Sequence, residues 1–379
     1  MRSDLMWFLA LRLLSGALSF LLFALVARKF EAGQTKSLYY FLFLAGFFTS
    51  ALRALATIAA ALQGSESRSH KLRRACMSFG QVVCVSAVML PVAMWVFSGL
   101  GVPIWVYGGL LILLMSWGID IDLLRAIIGR SSLVPLANVA GGLLALACLA
   151  VFRSFEGAFA AILLQWLPLC GLNAQLFYRL RFRILHGIRA TLAQRGGTVW
   201  VPLGLALFDG LIINAPFFLG QQTPPEVGRS IGVVTRIFVG GLVLMPLVTF
   251  WSNSVALNQM ARRLRMSAVT TFGVFAAGTG LAGGAAFALA FAWIAGSTPS
   301  AAELVAVALL LLGFSAFTSA ARYRLGIAPH LLGVLAALAG VNALGVLLML
   351  RLGVGALGVS AVQASTLLAA TGLMALQRR

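Results

Sequence analysis

Residues 5–27, LMWFLALRLLSGALSFLLFALVA, carry a single charge, Arg12, in an otherwise apolar run. At 1.5 Å per residue a helix of that length covers roughly 34 Å, enough to cross a hydrocarbon core of about 30 Å. A helix is also the form in which such a segment satisfies its own backbone N–H and C=O groups away from water. The charge near the start could imitate a secretion signal. However, Arg12 interrupts the apolar core and the run exceeds the roughly 7 to 15 residues of such signals, so the sequence predicts a retained first helix.

The same pattern recurs along the chain. Of 379 residues, 61% are hydrophobic and 10% charged, whereas soluble domains carry about 25% charged residues. Apolar blocks predict spans near 5–27, 38–62, 75–98, 104–124, 132–152, 158–178, 199–220, 230–256, 268–295, 301–320, 327–350 and 354–376. The fold class expected is all-α: a polytopic membrane protein of about twelve transmembrane helices. Gly and Pro supply the tight breaks near Gly99 to Pro103 and Arg351 to Gly355.

The net charge of +19 does not point to nucleic acid. Lys and Arg sit in short tracts between apolar blocks, and no basic and aromatic run forms a base-stacking surface. Numbered from a cytoplasmic N-terminus, the inside loops and ends hold Arg2, Arg68, Lys71, Arg73, Arg74, Arg125, Arg130, Arg179, Arg181, Arg183, Arg189, Arg195, Arg262, Arg263, Arg265, Arg322, Arg324, Arg378 and Arg379. The outside loops hold Arg28, Lys29, Lys36, Arg153, Arg229 and Arg351. This excess of roughly threefold follows the positive-inside rule and places both termini in the cytoplasm.

The longest hydrophilic segment, with five arginines between Arg179 and Arg195, falls almost at the midpoint. It predicts a six-helix lobe at 1–178, a basic cytoplasmic linker at 179–198 and a second six-helix lobe at 199–379, a plan common among transporters. The outside loops are short, which excludes a sizeable external catalytic domain. The cysteines Cys76, Cys84, Cys148 and Cys170 form no CxxC pair, and His70, His186 and His330 lie far apart in sequence. No metal site, cofactor or catalytic constellation is expected.

Charges inside spans are costly and usually face a bundle interior or aqueous cavity. Three arginines fall there, Arg12, Arg53 and Arg236, together with Asp209. Guanidinium groups offer permanently charged, bidentate donors, so these arginines suit a phosphate or diphosphate. The competing reading is structural: Arg12 and Arg236 snorkelling to the interface, and Arg53 tied to Asp209 or a carbonyl. Asp209 is either an ion-pair partner or a protonatable coupling site. Asp120 and Asp122, two residues apart, face different sides of a helix and read as a solvated cap beside Arg125. Asn138, Gln165 and Asn214 are polar positions within spans, near Gly141, Pro168 and Pro216.

The stretch from Leu11 to Phe30, LRLLSGALSFLLFALVARKF, followed by Tyr39-Tyr-Phe-Leu-Phe, resembles the first two helices of polysaccharide (O-antigen type) flippases. These belong to the multidrug/oligosaccharidyl-lipid/polysaccharide (MOP) exporter superfamily. Phe208-Asp209-Gly-Leu-Ile-Ile-Asn and Val234-Thr-Arg236-Ile resemble that family's seventh and eighth helices. The resemblance implies two lobes with alternating access. It also implies a lipid-linked (undecaprenyl-diphosphate) oligosaccharide as cargo, bound by Arg12, Arg53 and Arg236 in the bacterial inner membrane. The partners implied are this anionic glycan, membrane lipids and glycan-assembly enzymes. The chain is shorter than is usual for such exporters. Two rivals are a drug or cation exporter of the same superfamily and a membrane-embedded glycan polymerase or ligase. Tagged-loop accessibility mapping is expected to find 179–198 on the cytoplasmic side. A long outside segment in the same map would favour the polymerase or ligase.

Overall fold

The computed structural model describes residues 2–44, 47, 90–95, 98, 103, 106, 133–172, 178, 200–220, 223–242, 267–322 and 330–376. Among them every regular element is helical. In chain order the longer helices are α1 (Arg2–Lys29), α2 (32–44), α3 (Leu133–Val151), α4 (Phe155–Leu164), α5 (Trp200–Leu219), α6 (Pro225–Gly241), α7 (Ala268–Ala295), α8 (Ala301–Arg322), α9 (His330–Arg351) and α10 (Gly355–Leu376). Seven helices among the described residues are long and apolar enough to cross a membrane. The chain is an all-α, multi-pass protein. The linker 179–198, Arg53, Asp120, Asp122 and several of the twelve expected spans lie outside the described residues.

The chain divides into two units, Met1–Leu22 with Ser37–Gly210, and Phe23–Lys36 with Leu211–Arg379. The division cuts α1 between Leu22 and Phe23 and α5 between Gly210 and Leu211. Phe23–Lys36 precedes the long hydrophilic tract in sequence, yet it folds into the unit built from α6 to α10.

Hydrocarbon gives apolar side chains little reason to prefer one another, so close backbone approach and van der Waals contact join the helices. In the first unit, Gly142 of α3 lies where a Cβ would stand 2.9 Å from the Leu18 Cβ of α1, and Gly141 rests on the Gln165 backbone carbonyl. Phe41 of α2 meets Phe159 of α4 edge to face at 5.1 Å. Ser154 caps α4, its hydroxyl accepting from the Gly157 N–H at 3.1 Å.

In the second unit α6 is buried continuously from Ile231 to Phe238. A Cβ on its Gly241 would stand 2.7 Å from the Gly280 carbonyl and 3.1 Å from the Gly284 nitrogen of α7. On α8, Gly313 approaches the Ala364 Cα of α10 in the same way, at 3.0 Å. Helix ends are closed locally. Ser267 accepts from the Thr270 N–H at 3.0 Å at the start of α7, and Gly296 ends that helix with a left-handed φ of 69°. Ser300 and Glu303 form a reciprocal capping box at the start of α8, with bonds of 2.7 and 3.2 Å. The other Glu303 oxygen accepts from Ser230 of α6 at 2.7 Å. Gly353 and Gly355 adopt φ of 67° and 75° between α9 and α10, the break expected at Arg351 to Gly355.

Gly241→Val is expected to destabilise the purified protein by about 1–3 kcal/mol, because backbone on the neighbouring helix cannot yield to the added methyls. Gly278→Ala, where nothing lies within 4 Å, is expected to leave the thermal midpoint unchanged or slightly higher. Midpoints measured in one detergent compare the two.

Candidate functional site

The second unit places two cations in contact with the same helix. Arg236, the sixth residue of the buried run Ile231–Phe238 on α6, is 8% exposed, and its guanidinium carbon lies 4.6 Å from the centroid of the Phe23 ring. Phe23 is itself buried. A guanidinium over an aromatic face is attracted by the ring quadrupole, more strongly where water is excluded. The adjacent Thr235 turns its hydroxyl back onto the Ile231 carbonyl at 2.9 Å.

Two turns earlier on α6, Gly228 makes room for the stem of Lys36. A Cβ at Gly228 would stand 2.7 Å from both Cγ and Cδ of that lysine. Lys36 is also 8% exposed, and its ammonium donates to the Thr223 carbonyl at 2.6 Å, in the turn just before α6. Burial pushes the Lys36 ammonium below the usual lysine range, because desolvation disfavours the charged form. The turn receiving it is ordered by Thr223, whose hydroxyl donates to the Gly220 carbonyl at 2.6 Å. On the other side, the Thr35 hydroxyl donates to the Phe30 carbonyl at 3.1 Å. The segment Phe23–Lys36 thus runs alongside α6, touching it at Gly228 and Arg236, eight residues or roughly 12 Å apart along the helix.

The architecture has a solved counterpart. A structure described as the inward-facing conformation of a multidrug resistance MATE family transporter of the MOP superfamily superposes with a TM-score of 0.55. The match covers 96% of this chain and 93% of that chain at 14% sequence identity. The chain has the MATE/MOP fold. At that identity the likeness establishes architecture, and the MOP-type fold expected from the sequence is the one observed. No protein-family model matches the chain, and no curated protein matches it.

Of the four residues singled out from the sequence, Arg53 lies outside the described residues, and the other three fall differently on this MOP-type frame. Arg12 is half-buried on α1 in the first unit and is engaged with neighbours. Asp209 lies within α5, between Phe208 and Gly210, in the part of the helix that belongs to the first unit. Arg236 lies in the second unit, buried and over the Phe23 ring. Lys36 did not stand out in the sequence, where it counts among outside-loop charges. The available signal was its position: Thr35-Lys36-Ser37 directly precedes Leu38-Tyr39-Tyr40-Phe41, all four of them buried.

Lys36→Met keeps the aliphatic stem against Gly228 and removes the charged donor, so a loss of about 1.5–3 kcal/mol in stability is expected. Thr223→Ala leaves the accepting carbonyl in place and is expected to cost clearly less. A larger loss in Thr223→Ala than in Lys36→Met, by thermal unfolding in detergent, would contradict the assignment.

Proposed function

We propose that the chain is a membrane transporter of the bacterial inner membrane. Its cargo, on this reading, is a lipid-linked (undecaprenyl-diphosphate) oligosaccharide, flipped by alternating access with both termini in the cytoplasm. The observation that supports it most is Arg236, a permanently charged guanidinium within the buried run Ile231–Phe238 of α6, in a MATE/MOP fold. Such a charge is costly inside a bilayer and is retained where it binds or moves something. Arginine pairs with diphosphate oxygens through two parallel donors, which suits an anionic lipid headgroup.

Arg12, on α1, and Arg53 complete the cationic set in this proposal, and Asp209 serves as the coupling or ion-pairing carboxylate. The assembled glycan would come from glycan-assembly enzymes and enter through the lipid phase. Transport by this route breaks no covalent bond in the cargo, so no catalytic residue is assigned.

One observation favours a second reading, a drug or cation exporter of the same superfamily: the structural counterpart is described as a multidrug resistance transporter. Cationic drugs call for carboxylates in the binding cavity, whereas the cavity charges proposed for the N-terminal half are the arginines Arg12 and Arg53. That contrast is why the anionic cargo is preferred.

Arg236→Ala, in cells that depend on this protein for surface glycan, is expected to reduce export about tenfold or more, and Arg236→Lys less so. Arg12→Ala and Arg53→Ala are expected to act in the same direction. Full export by normally inserted Arg236→Ala and Arg12→Ala proteins would refute the anion site. Expression that protects cells from cationic dyes, without any effect on glycan, would instead establish the drug exporter.

A further inference from the structure

Proline has no N–H, so inside a helix it leaves without a backbone donor the carbonyl four residues before it. In α5 the interior proline is Pro216 and the carbonyl is that of Ile212. Ile212 is fully buried, and hydrocarbon has no water to offer the oxygen. The missing donor comes from the last helix. Gln363 of α10 places its amide nitrogen 2.8 Å from the Ile212 carbonyl and 3.0 Å from the Ile213 carbonyl. A primary amide carries two N–H groups, one for each oxygen. Gln363 is 3% exposed in a helix that is otherwise largely apolar, and this pairing accounts for an amide at that depth.

The position of the pairing along α5 matters. The chain passes from the first unit to the second between Gly210 and Leu211, within this helix. Ile212 and Ile213 are therefore the second and third residues of the part that belongs to the second unit, and Gln363 grips α5 at the start of that part.

We infer that Gln363 is a positioning residue. It occupies the acceptor that Pro216 exposes and fastens the C-terminal part of α5 to α10, so that the two move as one body. Asn214, buried on the fastened part, is carried with α10, whereas Asp209 lies on the part of α5 in the first unit. The tie does not depend on the identity of the cargo. Any motion between the two parts of α5 is confined to residues before Ile212.

Hydrogen–deuterium exchange on the full chain in lipid nanodiscs tests this with four proteins: wild type, Gln363→Leu, Pro216→Ala and the double variant. In Gln363→Leu, amide exchange across residues 211–219 is expected to rise about tenfold, with α7 and α8 unchanged. Pro216→Ala restores the backbone donor to Ile212, so adding Gln363→Leu to it is expected to change exchange less than about twofold. An equal rise in both backgrounds, no rise, or a rise spread over every helix would overturn the tie. Should Gln363→Leu fail to accumulate, recovery of folded protein on adding Pro216→Ala supports the inference, and lack of recovery overturns it.

Discussion

A backbone carbonyl or amide that enters hydrocarbon must find its partner within the chain, because no water is there to supply one. Helix formation answers that requirement for most of the described residues, and the exceptions show which side chains the fold cannot lose. Helix starts are closed by Ser154, Ser267, and Ser300 with Glu303. The carbonyl at Thr223 is met by the Lys36 ammonium, and the one released by Pro216 is met by Gln363. In each case a polar side chain in an apolar chain serves a backbone group that helical pairing leaves over.

The same environment explains how the helices are joined. Lipid removes most of the preference of apolar side chains for one another, so glycine at contact points lets backbones approach within van der Waals distance. Gly241 against α7 and Gly313 against α10 are such points in the second unit, and Gly141 and Gly142 in the first. Gly228 acts differently, since the room it leaves is filled by the stem of a lysine. Through that lysine and through Phe23 beneath Arg236, the segment from the last part of α1 to the start of α2 is incorporated into the unit of α6 to α10.

Much of the fold was legible in the sequence. Apolar blocks at a length that spans a bilayer predicted the helices, and α7 to α10 begin and end within a few residues of the expected spans. The turn at Gly353 and Gly355 was read from glycine alone. The resemblance of the first two helices and of the seventh and eighth to MOP-superfamily flippases pointed to the observed fold. Less legible was the path of Phe23–Lys36, because hydropathy reports which residues enter the membrane and says nothing of which helices they pack against. Arg236 stood out because a charge interrupts an apolar run. Lys36 did not, since a lysine between two spans is what the positive-inside rule leads one to ignore. The role of Gln363 was equally hidden: a glutamine in a span has no visible partner until the carbonyls of Ile212 and Ile213 are brought to it.

On the proposed function, the buried guanidinium of Arg236 serves a phosphorylated lipid, because it offers two parallel donors to phosphate oxygens. The most direct measurement is the thermal midpoint of the reconstituted protein with undecaprenyl diphosphate, with the neutral alcohol undecaprenol, and with a cationic dye. The account predicts a saturable rise with the diphosphate, none with the alcohol, and loss of the rise in Arg236→Ala. Stabilisation by the dye with no response to the diphosphate would contradict it.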